Sequence, residues 1–130
     1  MDKKFTLKLL SDFIAIQSVS ADSKRYGEIL KAVDFITREL QKMKFDVKVL
    51  KKAKAPPLII GMFRGSKARK TIGIYAHYDI QPEDPIDEWK SPPFNLTLKN
   101  GKMYGRGVAD DKGHLVQNLE AVKKLIEGGS

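Results

Sequence analysis

An α/β layered fold is what the sequence predicts, and three observations predict it. Two early stretches repeat apolar residues every three or four positions, two later stretches are short apolar runs, and a last helical stripe follows a glycine-rich loop. Amphipathic helices beside short runs apolar on both faces are what a helix-covered sheet is made of.

From about Lys4 to Gln17, Phe5, Leu9, Leu10, Phe13 and Ile14 make one helical stripe. The polar break Ser18-Val19-Ser20-Ala21-Asp22-Ser23 offers N-cap candidates for a second helix. That helix carries Tyr26, Ile29, Leu30, Val33, Ile36, Leu40 and Met43 at spacings of three and four. After Lys44 the period changes: Phe45, Val47 and Val49 alternate with charged residues, as in a half-buried strand. Pro56-Pro57 breaks the chain, and the apolar run 58–63 predicts a buried strand. A basic turn over 64–70 separates it from a second such run, Thr71-Ile72-Gly73-Ile74-Tyr75-Ala76, which ends at His77-Tyr78-Asp79. Residues 80–93 read as a polar, proline-rich loop with the single tryptophan, Trp89, and with solvated acids at Glu83, Asp84, Asp87 and Glu88. Asn100-Gly101 between two short runs is a two-residue hairpin signal. A final helix carries Leu115, Leu119, Val122 and Ile126, and neither an internal repeat nor a domain boundary is visible.

Composition narrows the function. The 130 residues suit one domain, and the absence of cysteine excludes a disulfide scaffold, a thiol nucleophile and a cysteine-type zinc finger. Net charge is +8, with eleven basic residues against Glu39 and Asp46 between Arg38 and Lys70. The lysines there alternate with apolar residues, as in Val47-Lys48-Val49-Leu50-Lys51, and no nucleic-acid-binding signature accompanies them. A solvated or partner-facing surface is therefore favoured over nucleic-acid binding. No apolar stretch reaches the roughly 20 residues of a membrane span. The amino terminus lacks the apolar core of a signal peptide, so a cytoplasmic location is expected.

Two constellations carry chemistry. His77 and Asp79 stand two apart after an apolar run, so an imidazole and a carboxylate share one side of an extended chain end. A metal-binding histidine commonly has its other ring nitrogen held by such a carboxylate, whereas the plainer alternative is a salt-bridged loop histidine. Gly105-Arg106-Gly107-Val108-Ala109-Asp110-Asp111-Lys112-Gly113 places two carboxylates where a loop enters a helix. One of them simply capping the helix is the alternative to a metal-binding role.

Taken in order, His77-Tyr78-Asp79-Ile80-Gln81-Pro82, Trp89-Lys90-Ser91-Pro92-Pro93-Phe94 and the 105–113 loop resemble the N-terminal part of a two-zinc metallopeptidase family. That family includes carnosine dipeptidases, glutamate carboxypeptidases, acetylornithine deacetylase and succinyl-diaminopimelate desuccinylase. Gln81-Pro82 and the Trp-x-x-Pro-Pro-Phe version are most similar to its dipeptidase branch. The resemblance implies a helix-covered mixed β-sheet of a zinc-peptidase catalytic domain, truncated after the helix that follows Asp110-Asp111, with residues 1–130 one part of it and no second domain. It implies that His77 is a zinc ligand, Asp79 the catalytic carboxylate orienting it, Asp110 the aspartate bridging two Zn²⁺ ions, and Asp111 its neighbour across a cis peptide. Cobalt or manganese suit the same N/O ligands.

The resemblance also implies hydrolysis of a small peptide or an acylated amino acid by a metal-activated water. In the family the glutamate base and the remaining ligands lie beyond the final helix, and His114 is not at a ligand position. The 130-residue chain alone is therefore expected to be inactive and to need its missing C-terminal portion. Two alternatives stand beside this reading: an amino-acid deacylase of the same family, or a non-catalytic module that associates through exposed apolar surface.

Overall fold

A computed structural model of the chain describes residues 3–53, 55–65 and 70–128. Helix α1 spans Lys3–Ile14, α2 Tyr26–Lys42 and α3 Lys112–Glu127. Strands β1 (Asp46–Leu50) and β2 (Leu58–Met62) form one antiparallel ribbon, and β3 (Thr97–Lys99) and β4 (Lys102–Tyr104) form another. The α/β class holds, as a three-helix layer with small antiparallel ribbons among the described residues. No helix among them is long and apolar enough to cross a membrane.

The helical stripes do the packing. Leu9, Leu10, Phe13 and Ile14 of α1 meet Ala32, Phe35 and Ile36 of α2 and Leu115 and Val116 of α3 in one core. Phe13 and Phe35 stack with ring centroids 4.7 Å apart. Burying each such side chain contributes about 1.5–3 kcal/mol, and Ile59 of β2 packs against the same core. After α2 the chain reverses at Lys44, whose left-handed φ of 64° lets Phe45 N–H donate to the Leu40 carbonyl at 3.1 Å. β1 then pairs with β2 from Asp46↔Met62 to Leu50↔Leu58. Asn100 and Gly101, both at positive φ, make the tight turn between β3 and β4 that their sequence specifies.

Three expectations are corrected. β2 is a strand, but Leu58, Ile60 and Met62 are exposed, because only one face of a two-stranded ribbon meets the helices. The run 71–76 is not in a strand: Ile72 is 82% and Tyr75 89% exposed. Strand-like composition needs a neighbouring backbone to pair with, and among the described residues the chain finds one only beyond this run, at Ile80, bridged in parallel to Val19. Glu83, expected in solvent, instead makes a two-pronged ion pair with Arg25 at 2.9 and 2.5 Å. Asp84, Asp87 and Glu88 are exposed as expected. The expected basic turn lies partly outside the described residues, since 66–69 are not among them.

The Glu83 pair anchors the 80–95 loop beside the core. Trp89 Nε1 donates to the Glu83 carbonyl at 2.8 Å, and the Arg106 guanidinium lies 5.1 Å from the Trp89 ring centroid. The loop thus ties the start of α2 to the glycine-rich loop before α3.

Candidate functional site

The segment that carries His77 and Asp79 is fixed by the connection between α1 and α2. Ser18 Oγ donates to the Tyr78 carbonyl at 2.7 Å, and Ile80 N–H donates to the Ser18 carbonyl at 3.0 Å. Ser20 Oγ donates to Asp79 Oδ2 at 2.5 Å. Alternation along the extended chain sends Tyr78 away from its neighbours, to donate its hydroxyl to the Pro57 carbonyl at 2.6 Å. Burial, with the Asp79 charge adding to it, pushes that hydroxyl up to about 12. His77 and Asp79 remain together on the other side, Nδ1 to Oδ1 3.2 Å apart.

The opposite wall is the 105–113 loop, and two glycines make it possible. Gly107 has φ +90°, and a Cβ there would come within 2.9 Å of Ile80 Cγ2. At Gly113 a Cβ would run into the Val108 carbonyl, while its N–H donates to the Gly107 carbonyl at 3.1 Å. The chain closes on itself and delivers Asp110 and Asp111, joined by a cis peptide, to the start of α3. Asp111 stands at the N-cap, yet its carboxylate makes no capping bond to the helix. Its Oδ2 accepts the His77 backbone N–H at 2.9 Å, and its Oδ1 lies 3.0 Å from His114 Nδ1. The simple capping alternative is therefore not what Asp111 does.

Asp110 Oδ1 then lies 2.9 Å from His77 Nε2. His77 Nδ1 faces the Asp79 backbone carbonyl at 3.0 Å, closer than the Asp79 carboxylate. A carbonyl only accepts, so Nδ1 carries the hydrogen and Nε2 is the ring atom turned toward Asp110. Burial pulls the His77 imidazole down, but the Asp79 carbonyl and the Asp110 carboxylate outweigh it and hold the pKa above its ordinary 6.5. His77 Nε2 and Asp110 Oδ1 thus face one another at hydrogen-bond distance.

An imidazole nitrogen and a carboxylate oxygen suit zinc in kind. In number they fall short, because a catalytic zinc takes three protein ligands and no group of three His, Cys, Asp or Glu that could hold a metal occurs among the described residues. His114 does not extend the set: its Nδ1 is engaged with Asp111 and its side chain is largely exposed.

All four residues singled out from the sequence, His77, Asp79, Asp110 and Asp111, meet at one place. Three others emerge only from the structure. Ser18 and Ser20 read as helix caps, and only their bonds to partners about 60 residues away show what they hold. Lys112, in the sequence only one member of the 105–113 loop, is 0% exposed, its ammonium donating to the Phe13 and Ile16 carbonyls at 2.9 and 2.5 Å. Burial lowers its pKa to about 7.

The sequence and the backbone both have counterparts among known proteins. Residues 73–130 match the model of Peptidase family M20/M25/M40. The chain is 34% identical over 132 residues to the Cys-Gly metallodipeptidase dug1 of Schizosaccharomyces pombe, covering 92% of this chain and 27% of that protein. It is 31% identical over 125 residues to the succinyl-diaminopimelate desuccinylase of Herminiimonas arsenicoxydans, covering 93% of this chain and 30% of the relative. Among solved structures it superimposes on the di-peptidase Dug1p of Saccharomyces cerevisiae with a TM-score of 0.86 at 30% identity, covering 98% of this chain and 30% of that one. The chain therefore spans under a third of the length of these relatives. Matching motifs, matching backbone and the family match agree that residues 73–130 of this chain belong to peptidase family M20/M25/M40.

Proposed function

We propose that the chain is part of the catalytic domain of a metal-dependent hydrolase that cleaves the peptide bond of a dipeptide. The observation that carries this reading is the 2.9 Å approach of His77 Nε2 to Asp110 Oδ1, with the other ring nitrogen held by Asp79. In it His77 and Asp110 bind the metal, Asp79 orients His77, and Asp111 ties the His77 backbone to the start of α3. Zinc, when bound, supplies a Lewis acid for the scissile carbonyl and lowers the pKa of a bound water. Residues 1–130 then form one part of a single catalytic domain. Ile72, Ile74 and Tyr75 belong to the surface that meets the rest of such an enzyme. Two donors where three are required leave this chain without turnover of its own. A dipeptide is favoured over an acylated amino acid because a relative at 34% identity and a solved structure with a TM-score of 0.86 are both named dipeptidases, against 31% identity for the desuccinylase.

Zinc-dependent hydrolysis is the test, measured on Cys-Gly and on N-succinyl amino acids, with this chain and with a chain extended to the relatives' length. The reading expects turnover of the dipeptide by the extended chain alone, lost in its His77→Ala variant. Preference for the succinylated substrate would replace the dipeptidase by a deacylase. Turnover by the 130-residue chain would contradict its incompleteness.

A further inference from the structure

Lys112 follows the aspartate pair directly but turns inward. Its ammonium is the donor for two carbonyls where α1 ends, Phe13 O and Ile16 O, and it lies 4.7 Å from the centroid of the Phe13 ring. Its aliphatic stem fills the space beside Gly107, where a Cβ would lie 3.3–3.4 Å from Lys112 Cδ and Cγ. Glu28, whose Oε2 accepts the Gln17 N–H at 3.0 Å, is the carboxylate that acts on the ammonium electrostatically. A buried ammonium is costly unless its donors are engaged, and here backbone acceptors engage them.

The consequence reaches the site through a short chain of bonds. Two residues beyond Ile16, Ser18 grips Tyr78 and Ile80 on either side of Asp79. Two residues before Lys112 is Asp110, and one before it is Asp111, which holds the His77 N–H. One side chain therefore fastens the segment that positions His77 to the loop that positions Asp110. We propose that Lys112 is a positioning residue that sets the approach of His77 to Asp110, by locking the end of α1 against the start of α3. Resting on the reading of that pair as metal-holding, the inference predicts that removing the ammonium loosens the pair while the helical core stays folded.

Lys112→Met keeps the stem length and removes the donor. Amide hydrogen exchange of the full chain, followed residue by residue without added metal, separates a positioning role from a merely structural one. A structural role speeds exchange at His77 and at core amides such as Ile36 by the same factor. The inference expects His77 to speed up about tenfold more than Ile36, reporting a local opening. Equal factors overturn it. If Lys112→Met does not fold, exchange of the unsubstituted chain across low denaturant concentrations decides the matter. His77, Ile80 and Gly113 amides opening as one unit support the coupling, and independent opening overturns it. Adding Zn²⁺ to the unsubstituted chain tests the underlying reading separately. No response at His77 or Asp110 sinks the metal assignment without touching the coupling, and unequal exchange factors uphold the coupling without proving the metal.

Discussion

Two glycines predict opposite signs for the same substitution. In a helix, Gly→Ala ordinarily stabilises by up to about 1 kcal/mol. Gly27, near the start of α2, has open space around the missing Cβ, so Gly27→Ala should raise stability by about 0.5–1 kcal/mol. Gly113 sits in the first turn of α3, where a Cβ would strike the Val108 carbonyl, so Gly113→Ala should cost about 3 kcal/mol. Urea unfolding of both variants checks this, and equal effects would show that the 105–113 loop yields freely. The sequence marked Gly113 as part of a glycine-rich loop, but which glycine is irreplaceable depends on a carbonyl brought there by folding. Ser20 and Lys112 are similar. Ser20 read as a cap candidate and Lys112 only as part of the glycine-rich loop, and contacts across about 60 and about 100 residues reveal a carboxylate clamp and a buried anchor.

Among the elements, those stabilised locally were legible and those that depend on a distant neighbour were not. The stripes of α1 and α2 follow from a period of three to four, and the β3–β4 turn from Asn100-Gly101. The run 71–76 has the composition of a strand but lacks a pairing partner among the described residues. The 80–93 loop read as free acids and prolines until Arg25 arrived from the turn before α2. Arg25 holds the Glu83 carboxyl below its ordinary 4.5, chiefly through their side-chain hydrogen bonds. A carboxyl depressed in the folded state contributes stability above the unfolded value and loses it as pH falls through the folded one. Unfolding free energy should therefore fall more steeply below about pH 4.5 in the natural chain than in Glu83→Gln. At pH 7 the substitution should cost about 1–3 kcal/mol, as for a charge-assisted bond that is largely buried. Parallel acid limbs for the two proteins would show that the ion pair does not hold the loop.

At the scale of the whole molecule, the helices make the frame and the site lies where two connections meet: the α1–α2 link with its serines, and the glycine-rich loop entering α3. The frame was readable because helix packing follows periodicity. The residues that meet there could be picked out because His77-x-Asp79 and Asp110-Asp111 are sequence motifs. Their approach was not, since it is made by Ser18, Asp111 and Lys112 acting across the fold. The central claim is that His77 and Asp110 form one cation-binding pair, and a Zn²⁺ titration of the isotopically labelled full chain tests it most directly. The account predicts that resonances of His77, Asp110 and Asp111 move together along one saturation curve, and that His77→Ala and Asp110→Ala each abolish the response. Zn²⁺-dependent changes that avoid these residues, or that survive both substitutions, would contradict it.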